Sequence, residues 1–152
     1  QTCVRGIQGS LIPVVFISIV VGYGTAVQAT PVFGWLVEQV LSLDMNPYLL
    51  TFVAVNLLAG MTANGTGGVT LFMENFGATI LGNPAINVGA LHRIAAISGA
   101  GFDSLPHNGA IAFQLSVFKL SYKDGYFQQF MMSVLVNLLA GLLAVLMAVV
   151  LF

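Results

Sequence analysis

S-G-A-G-F-D-S-L-P-H-N-G, residues 98–109, places glycines, a proline, a carboxylate, an imidazole, an amide and two hydroxyls deep inside an apolar chain. The flanking segments 87–97 and 110–120 have a helical pattern, but each is too short to cross a bilayer, which takes about 20 residues. Together they predict one spanning helix, residues 87–120, that is broken in its middle. Irregular backbone at membrane depth is tolerated only where protein buries it or where it lines a cavity. The break is therefore a candidate site for a solute or an ion.

The composition of the chain is that of a membrane protein. Hydrophobic residues make up 58% of it, charged residues only 6%, and the mean hydropathy is +0.97, whereas soluble domains carry about 25% charged residues. The apolar runs are continuous, while the strands of a membrane β-barrel alternate apolar and polar residues. We therefore expect an all-α integral membrane protein. No charged residue follows Asp124, and residues 126–152 predict one uninterrupted final span.

The charge and the cysteine count argue against several classes of function. A net charge of −1 without a basic block argues against a nucleic acid as partner. One cysteine and two histidines offer little material for a disulfide framework or a zinc site, so we expect no metal and no other cofactor. The chain begins at Gln1 without a charged and apolar leader, and we expect it to be a piece of a longer protein.

Residues 47–82 contain a second pair of half-length helices. The segments 48–61 and 69–82 are each too short to span, and T-A-N-G-T-G-G, residues 62–68, lies between them. This arrangement predicts a re-entrant hairpin with a glycine-rich tip; an ordinary turn between two helices is the alternative. We expect the glycines at the tip to adopt positive φ and to let a ligand approach the backbone.

The tip and the break both offer groups that can bind an anion. The start of the second half-helix would present free N–H groups and the positive end of the helix dipole, which suits a carboxylate. Uncharged side-chain donors lie next to both interruptions. The predicted substrate-binding residues are Asn64, Gly65, Thr66, Gly67, Gly68, Ser104, Asn108 and Gly109.

Three ionisable residues are candidates for proton coupling. Asp103 and His107 lie in the break; a histidine titrates near physiological pH, and a desolvated aspartate can be brought there. For Asp103 the alternative is a structural cap on the second half-helix, whose first turn would hold Pro106. Glu74 lies inside the second helix of the hairpin, where a carboxylate is a functional candidate by default. A structural pairing of Glu74 with Arg93 is the alternative.

Residues 6–43 carry the helix punctuators Gly22, Gly24 and Pro31. They predict one kinked span or two tightly turned segments. The alternative is another helix break, in which three polar side chains would help to line the cavity. These are Thr25, Gln28 and Thr30.

The residue types of a hydrolase are present at the break, but not their spacing. Asp103, Ser104 and His107 crowd five consecutive positions, whereas the members of a catalytic triad come from separate segments, and no G-x-S-x-G elbow is present. G-A-G-F-D also has one residue too many for the G-x-G-D of aspartyl intramembrane proteases. We expect no enzyme and no catalytic residue; an intramembrane hydrolase is the weakest alternative.

Three motifs carry a resemblance to a known family. They are G-G-V-T-L-F-M-E-N-F-G at 67–77, L-H-R-I-A-A-I-S-G-A-G-F-D-S-L-P-H-N-G-A-I at 91–111, and K-L-S-Y-K-D-G-Y at 119–126. In these motifs the chain resembles the gluconate permease family, in particular its branch of hydroxybutyrate and related carboxylate permeases. Members of that family are proton-coupled symporters of the ion-transporter superfamily, built from two inverted repeats, each with a re-entrant hairpin and a broken helix. The resemblance implies that residues 1–152 are the C-terminal repeat of a larger transporter. The tip reads N-G-T-G-G where serines are common in the family, which leaves the substrate open.

The residue pattern and the resemblance agree on a mechanism, in which an anionic solute binds where the hairpin tip meets the helix break and Asp103 or His107 carries a proton. The resemblance implies the function more closely: proton-coupled symport of a small organic hydroxycarboxylate such as gluconate or 3-hydroxybutyrate. The alternatives are a channel, which needs a continuous polar file or a ring of like charges, and a non-transporting membrane subunit. The expected partners are a small organic anion, the lipid bilayer and the N-terminal half of the same transporter. We expect a multi-pass protein of a bacterial inner membrane. Sodium instead of the proton, and a homodimer, stay open.

Overall fold

The computed structural model describes residues 2–43 and 45–152, and the regular secondary structure of these residues is entirely helical. The elements are α1 Thr2–Gln28, α2 Pro31–Leu41, α3 Pro47–Thr62, α4 Gly65–Leu81, α5 Val88–Gly99, a 3-10 turn Phe102–Ser104, α6 Gly109–Val117, α7 Tyr122–Gln129, a π-helical segment Phe130–Leu135, and α8 Val136–Leu151. The helices of the described residues agree with the all-α part of the predicted fold class.

Helix α3 is the centre of the fold. It is apolar on nearly every side, and such a helix is stable only when neighbours bury it all round; α4, α5, α8 and α1 do so. Val55 of α3, Ile94 of α5 and the α4 pair Phe72 and Phe76 are all fully buried. The two phenylalanine rings stack with their centroids 5.2 Å apart. The core thus holds α4 and α5 on α3. This packing fixes the start of α4 against the end of α5.

The chain is helical without interruption from Tyr122 to Leu151, a length of 30 residues. Within the described part of the chain this is the one helix long and apolar enough to cross a membrane, by length and composition. It begins at Tyr122 rather than at residue 126, and the π-helical segment replaces the ordinary i→i−4 bonding over one stretch. Gly141 lets this helix pack closely on α3, because a Cβ on Gly141 would lie 2.5 Å from Phe52 Cε2.

The structure interrupts residues 6–43 at Ala29 and Thr30, between α1 and α2. Thr30 is the N-cap of α2, and Pro31 occupies the first turn, where its missing N–H leaves no bond unmade. Gly22 and Gly24 lie inside α1 and do not break it.

The three polar residues suggested for a second cavity are exposed. None of them lines the grooves described below. Their role in lining a further cavity stays a prediction.

Candidate functional site

The tip between α3 and α4 consists of two residues, Ala63 and Asn64. Ala63 takes the left-handed conformation at φ 50°, ψ 35°, and closes α3 as its C-cap. No glycine described by the structure has a positive φ. The prediction that Gly65, Gly67 and Gly68 make the turn is therefore wrong, because α4 begins at Gly65 and all three lie in its first turn.

Two of these glycines are needed for close packing instead. A Cβ on Gly68 would lie 2.6 Å from the Ala59 nitrogen of α3, and a Cβ on Gly65 would collide with the carbonyl oxygen of Gly99. Gly67 differs, because its Cβ would meet only the Asn64 side chain, at 3.3 Å or more. Glycine at the tip therefore lets α3, α4 and the end of α5 approach each other closely.

The break between α5 and α6 extends from Ala100 to Asn108. Asn108 is the N-cap of α6, and its Oδ1 accepts the Ala110 N–H at 2.6 Å. Pro106 lies before the helix rather than in its first turn. The alternative that Asp103 caps this second half-helix is therefore wrong.

Asp103 instead joins the break to the hairpin tip. Its Oδ1 accepts the backbone N–H of Gly65 at 3.0 Å and the Nδ2 amide of Asn108 at 2.9 Å. Asn108 is only 4% exposed and also donates Nδ2 to the Ala63 carbonyl at 2.9 Å. A carboxylate at the positive end of α4 is electrostatically favourable. The tip and the break, which are 38 residues apart at this bond, thus form one junction.

His107 completes the junction on the α3 side. Its Nε2 lies 2.6 Å from the carbonyl oxygen of Gly60, and a carbonyl can only accept, so Nε2 carries the proton in this contact. The last carbonyls of a helix have no intrahelical partner, and the negative dipole end favours a positively polarised donor. The break therefore presents an acid to the start of α4 and an imidazole donor to the end of α3.

Two open grooves flank the junction. The first has a volume of about 410 Å³ and is lined by Gly65, Thr66, Val69, Ala96, Gly99, Ala100 and Asp103. The second, about 370 Å³, is lined by Tyr23, Leu57, Gly60, Met61, Phe102, Leu105 and His107. The two ionisable residues of the break thus face different grooves.

The remaining predicted substrate-binding residues differ in whether their side chains can reach a groove. Asn64 caps α4 by accepting the Gly67 N–H on Oδ1 at 3.1 Å, and Thr66 is exposed beside the first groove. The backbone carbonyl of Ser104 accepts the Tyr126 hydroxyl at 3.2 Å. Gly109, the first residue of α6, lines neither groove.

Glu74 lies outside the junction. It is exposed, and lines neither groove. Arg93 donates Nη1 to the Gly89 carbonyl of its own helix at 3.2 Å. Over the described residues the structure gives Glu74 no ion pair, so its structural pairing with Arg93 is wrong. Nor do these residues form a group of three or more histidine, cysteine or acidic side chains that could hold a metal.

Sequence reasoning missed three residues that shape the site. Tyr122 and Tyr126, one helical turn apart, donate their hydroxyls to the carbonyls of Pro106 and Ser104 at 3.0 and 3.2 Å. Asn56 is buried in α3 against the break. The signal for Asn56 was available, because it is the single amide within the apolar stretch of α3.

The chain is similar to the uncharacterized transporter YxjC of Bacillus subtilis (strain 168). The two are 28% identical over 125 residues, which is 80% of this chain and 26% of the relative. The chain thus spans about a quarter of the length of the curated relative it matches. No known family profile matches the chain, and no solved structure does. The name of this relative gives a transporter and no substrate, so the similarity does not reach a substrate class.

Proposed function

We propose that the chain is part of a secondary active transporter that takes up a small organic hydroxycarboxylate, such as gluconate or 3-hydroxybutyrate, together with a proton. The observation that carries the proposal is the bond from the Gly65 N–H to Asp103 Oδ1 at 3.0 Å, at the edge of an open groove. The similarity to a bacterial transporter supports the transport function. We also propose that the chain is the C-terminal part of a longer multi-pass protein of a bacterial inner membrane; the match to 26% of the relative's length fits a part of a longer protein.

The Asp103 carboxylate occupies the donor that a substrate carboxylate would use. Gly65 begins α4, and such N-terminal amides bind anions because their N–H groups and the helix dipole point outward. An ionised Asp103 therefore repels an incoming anion by its charge and competes with it for the same N–H. A protonated Asp103 accepts more weakly, since a bond to a carboxylate is roughly twice as strong as a neutral one. Proton and anion would thus bind together, and the affinity for the anion should fall as pH rises.

Thr66 is the best-placed side chain for the substrate hydroxyls. It is exposed and lines the same groove as Asp103. Asn64 uses its Oδ1 to cap α4, and the Nδ2 of Asn108 is held by Ala63 and Asp103. We infer that these two amides shape the site, while Gly65 and Thr66 supply the donors to the ligand.

The test is uptake into liposomes by the full-length protein that contains this chain. Gluconate, 3-hydroxybutyrate, lactate and citrate are offered under an inward proton gradient, and separately under a sodium gradient. We expect proton-driven accumulation of at least one monocarboxylate. Asp103→Asn keeps an acceptor oxygen for Gly65 but cannot exchange a proton, so it should still exchange substrate without accumulating it.

Asp124→Asn is the matched control. Asp124 is exposed at the start of α7, where its carboxylate accepts the Ser121 hydroxyl, and the substitution should leave accumulation unchanged. If Asp103→Asn accumulates substrate normally, Asp103 only joins the two elements, and His107 becomes the coupling candidate. If the wild-type protein takes up none of the anions under either gradient, the transport proposal fails.

A further inference from the structure

Asn56 is a buried amide with one polar atom that has no partner. It lies in the middle of α3 and is 3% exposed. Its Nδ2 donates to the Phe52 carbonyl at 2.8 Å, whereas no donor among the described residues reaches its Oδ1. A buried acceptor without a donor costs about as much free energy as a lost hydrogen bond, and nearly all buried polar groups avoid this cost.

Among the side chains that the structure describes, the other buried polar ones are all bonded. Thr51, Thr62 and Ser98 donate their hydroxyls to backbone carbonyls at 2.7 to 2.8 Å, and Asn108 is bonded through both ends of its amide. Asn56 is therefore an exception within a core that otherwise satisfies its polar groups. A leucine of similar size would remove the cost.

The free oxygen of Asn56 lies against the helix break. A Cβ placed on Gly101 would collide with Asn56 Oδ1, and that Cβ would also be 3.4 Å from the Ser98 carbonyl oxygen. Gly101 follows the end of α5, and its own N–H donates to Ser98 at 3.1 Å. The free acceptor and a backbone N–H that is already engaged thus lie next to each other where α5 unwinds, and only glycine fits there.

We propose that Asn56 Oδ1 is the acceptor for a second arrangement of the break, in which the Gly101 N–H leaves the Ser98 carbonyl and donates to Asn56. The exchange makes one hydrogen bond for each one broken, so the break can shift against α3 at low cost. Asn56 is in this sense a positioning residue for the junction that carries Asp103. The inference rests on the proposed function only in assigning this shift to transport.

The test compares Asn56→Leu with Asn75→Leu in the full-length protein. Asn75 is the matched control, because its Nδ2 also donates to the carbonyl four residues earlier, at 2.8 Å, but it is exposed on α4. Hydrogen exchange of peptides covering residues 98–104 measures the opening of the break. Asn56→Leu should slow this exchange about three- to tenfold, because one net hydrogen bond changes the population of the open break by about that factor. The substitution should leave Tm unchanged or higher. Substrate uptake should slow by a similar factor.

Asn75→Leu should change neither exchange at 98–104 nor uptake. Asn56→Ala, which cannot overfill the site, should also slow the exchange. If Asn56→Leu and Asn56→Ala leave the exchange unchanged, or if Asn56→Leu lowers Tm by several degrees, the oxygen has a static structural role and the inference fails. If the exchange slows while the wild-type protein transports no anion, the second arrangement stands and the proposed function fails.

Discussion

The glycines of the tip show how one residue type can serve two roles within a single turn of helix. A Cβ on Gly68 would enter the backbone of Ala59 in α3, which cannot move without displacing the helix. A Cβ on Gly67 would touch only the Asn64 side chain. The sequence alone predicts the same role for both residues, that of a flexible turn residue, since both are glycines beside a turn. In the structure their surroundings differ, because the helix directs Gly68 toward α3 and Gly67 toward the Asn64 cap.

Gly68→Ala is therefore expected to destabilise the protein by about 1–3 kcal/mol, the cost of overpacking a close contact. Gly67→Ala serves as its control, because alanine is the better helix former by up to about 1 kcal/mol and the Asn64 side chain can adjust. Thermal unfolding of the full-length protein in detergent measures both. Equal losses of Tm in the two variants would show that the tip does not distinguish these positions.

At the scale of elements, the contact between α8 and α3 depends on Gly141. A Cβ there would lie 2.5 Å from Phe52 Cε2 and 3.6 Å from Ile97 Cγ2, and Phe52 is only 8% exposed. Gly141→Val should force the two helices apart and cost about 1–3 kcal/mol. Gly34→Ala in α2 is the control, because no atom beyond its own stretch of helix lies within 4 Å of its Cβ position. It should stabilise by about 0.5–1 kcal/mol through helix propensity. A Gly141→Val protein with wild-type Tm would contradict the packing.

The sequence was sufficient to predict the helices and the interruption of the chain at 100–108. Glycine, proline and polar residues inside apolar runs interrupt a helix locally, so their effect can be predicted without the tertiary structure. It was insufficient to predict which group each residue of the interruption contacts. Asp103 bonds to Gly65 across 38 residues, and this choice depends on how α4 and α5 pack on α3. The alternative that Asp103 caps α6 is wrong because Asn108 supplies the cap; both residues precede the helix and either side chain can cap, so the sequence alone does not decide between them.

At the scale of the whole molecule, two exposed faces have opposite chemistry. Thr66, Thr70 and Glu74 follow each other at four-residue spacing on one exposed face of α4. Leu143 and Leu146 lie on an exposed face of α8, at 59% and 63% exposure. A carboxylate facing hydrocarbon costs about 2.5–3.5 kcal/mol, whereas leucine favours it. We therefore expect the α4 face to line water that reaches the groove at Asp103, and the α8 face to contact lipid.

Cysteine labelling distinguishes the two faces. Cys3 is the only cysteine of these 152 residues. In the full-length protein, replacing Cys3 and any cysteine outside this chain by serine gives a background in which Thr70→Cys and Leu143→Cys each carry one thiol. The reactive species is the thiolate, which forms in water and not in hydrocarbon. A water-soluble maleimide should therefore modify Thr70→Cys much faster than Leu143→Cys in membranes, while both should react after solubilisation in denaturant. Thr66→Cys should also react, and a bound carboxylate should slow it because Thr66 lines the groove at Asp103. Rapid modification of Leu143→Cys together with an inert Thr70→Cys would mean that α8 faces water and α4 faces lipid, and the route to the site would then have to start elsewhere.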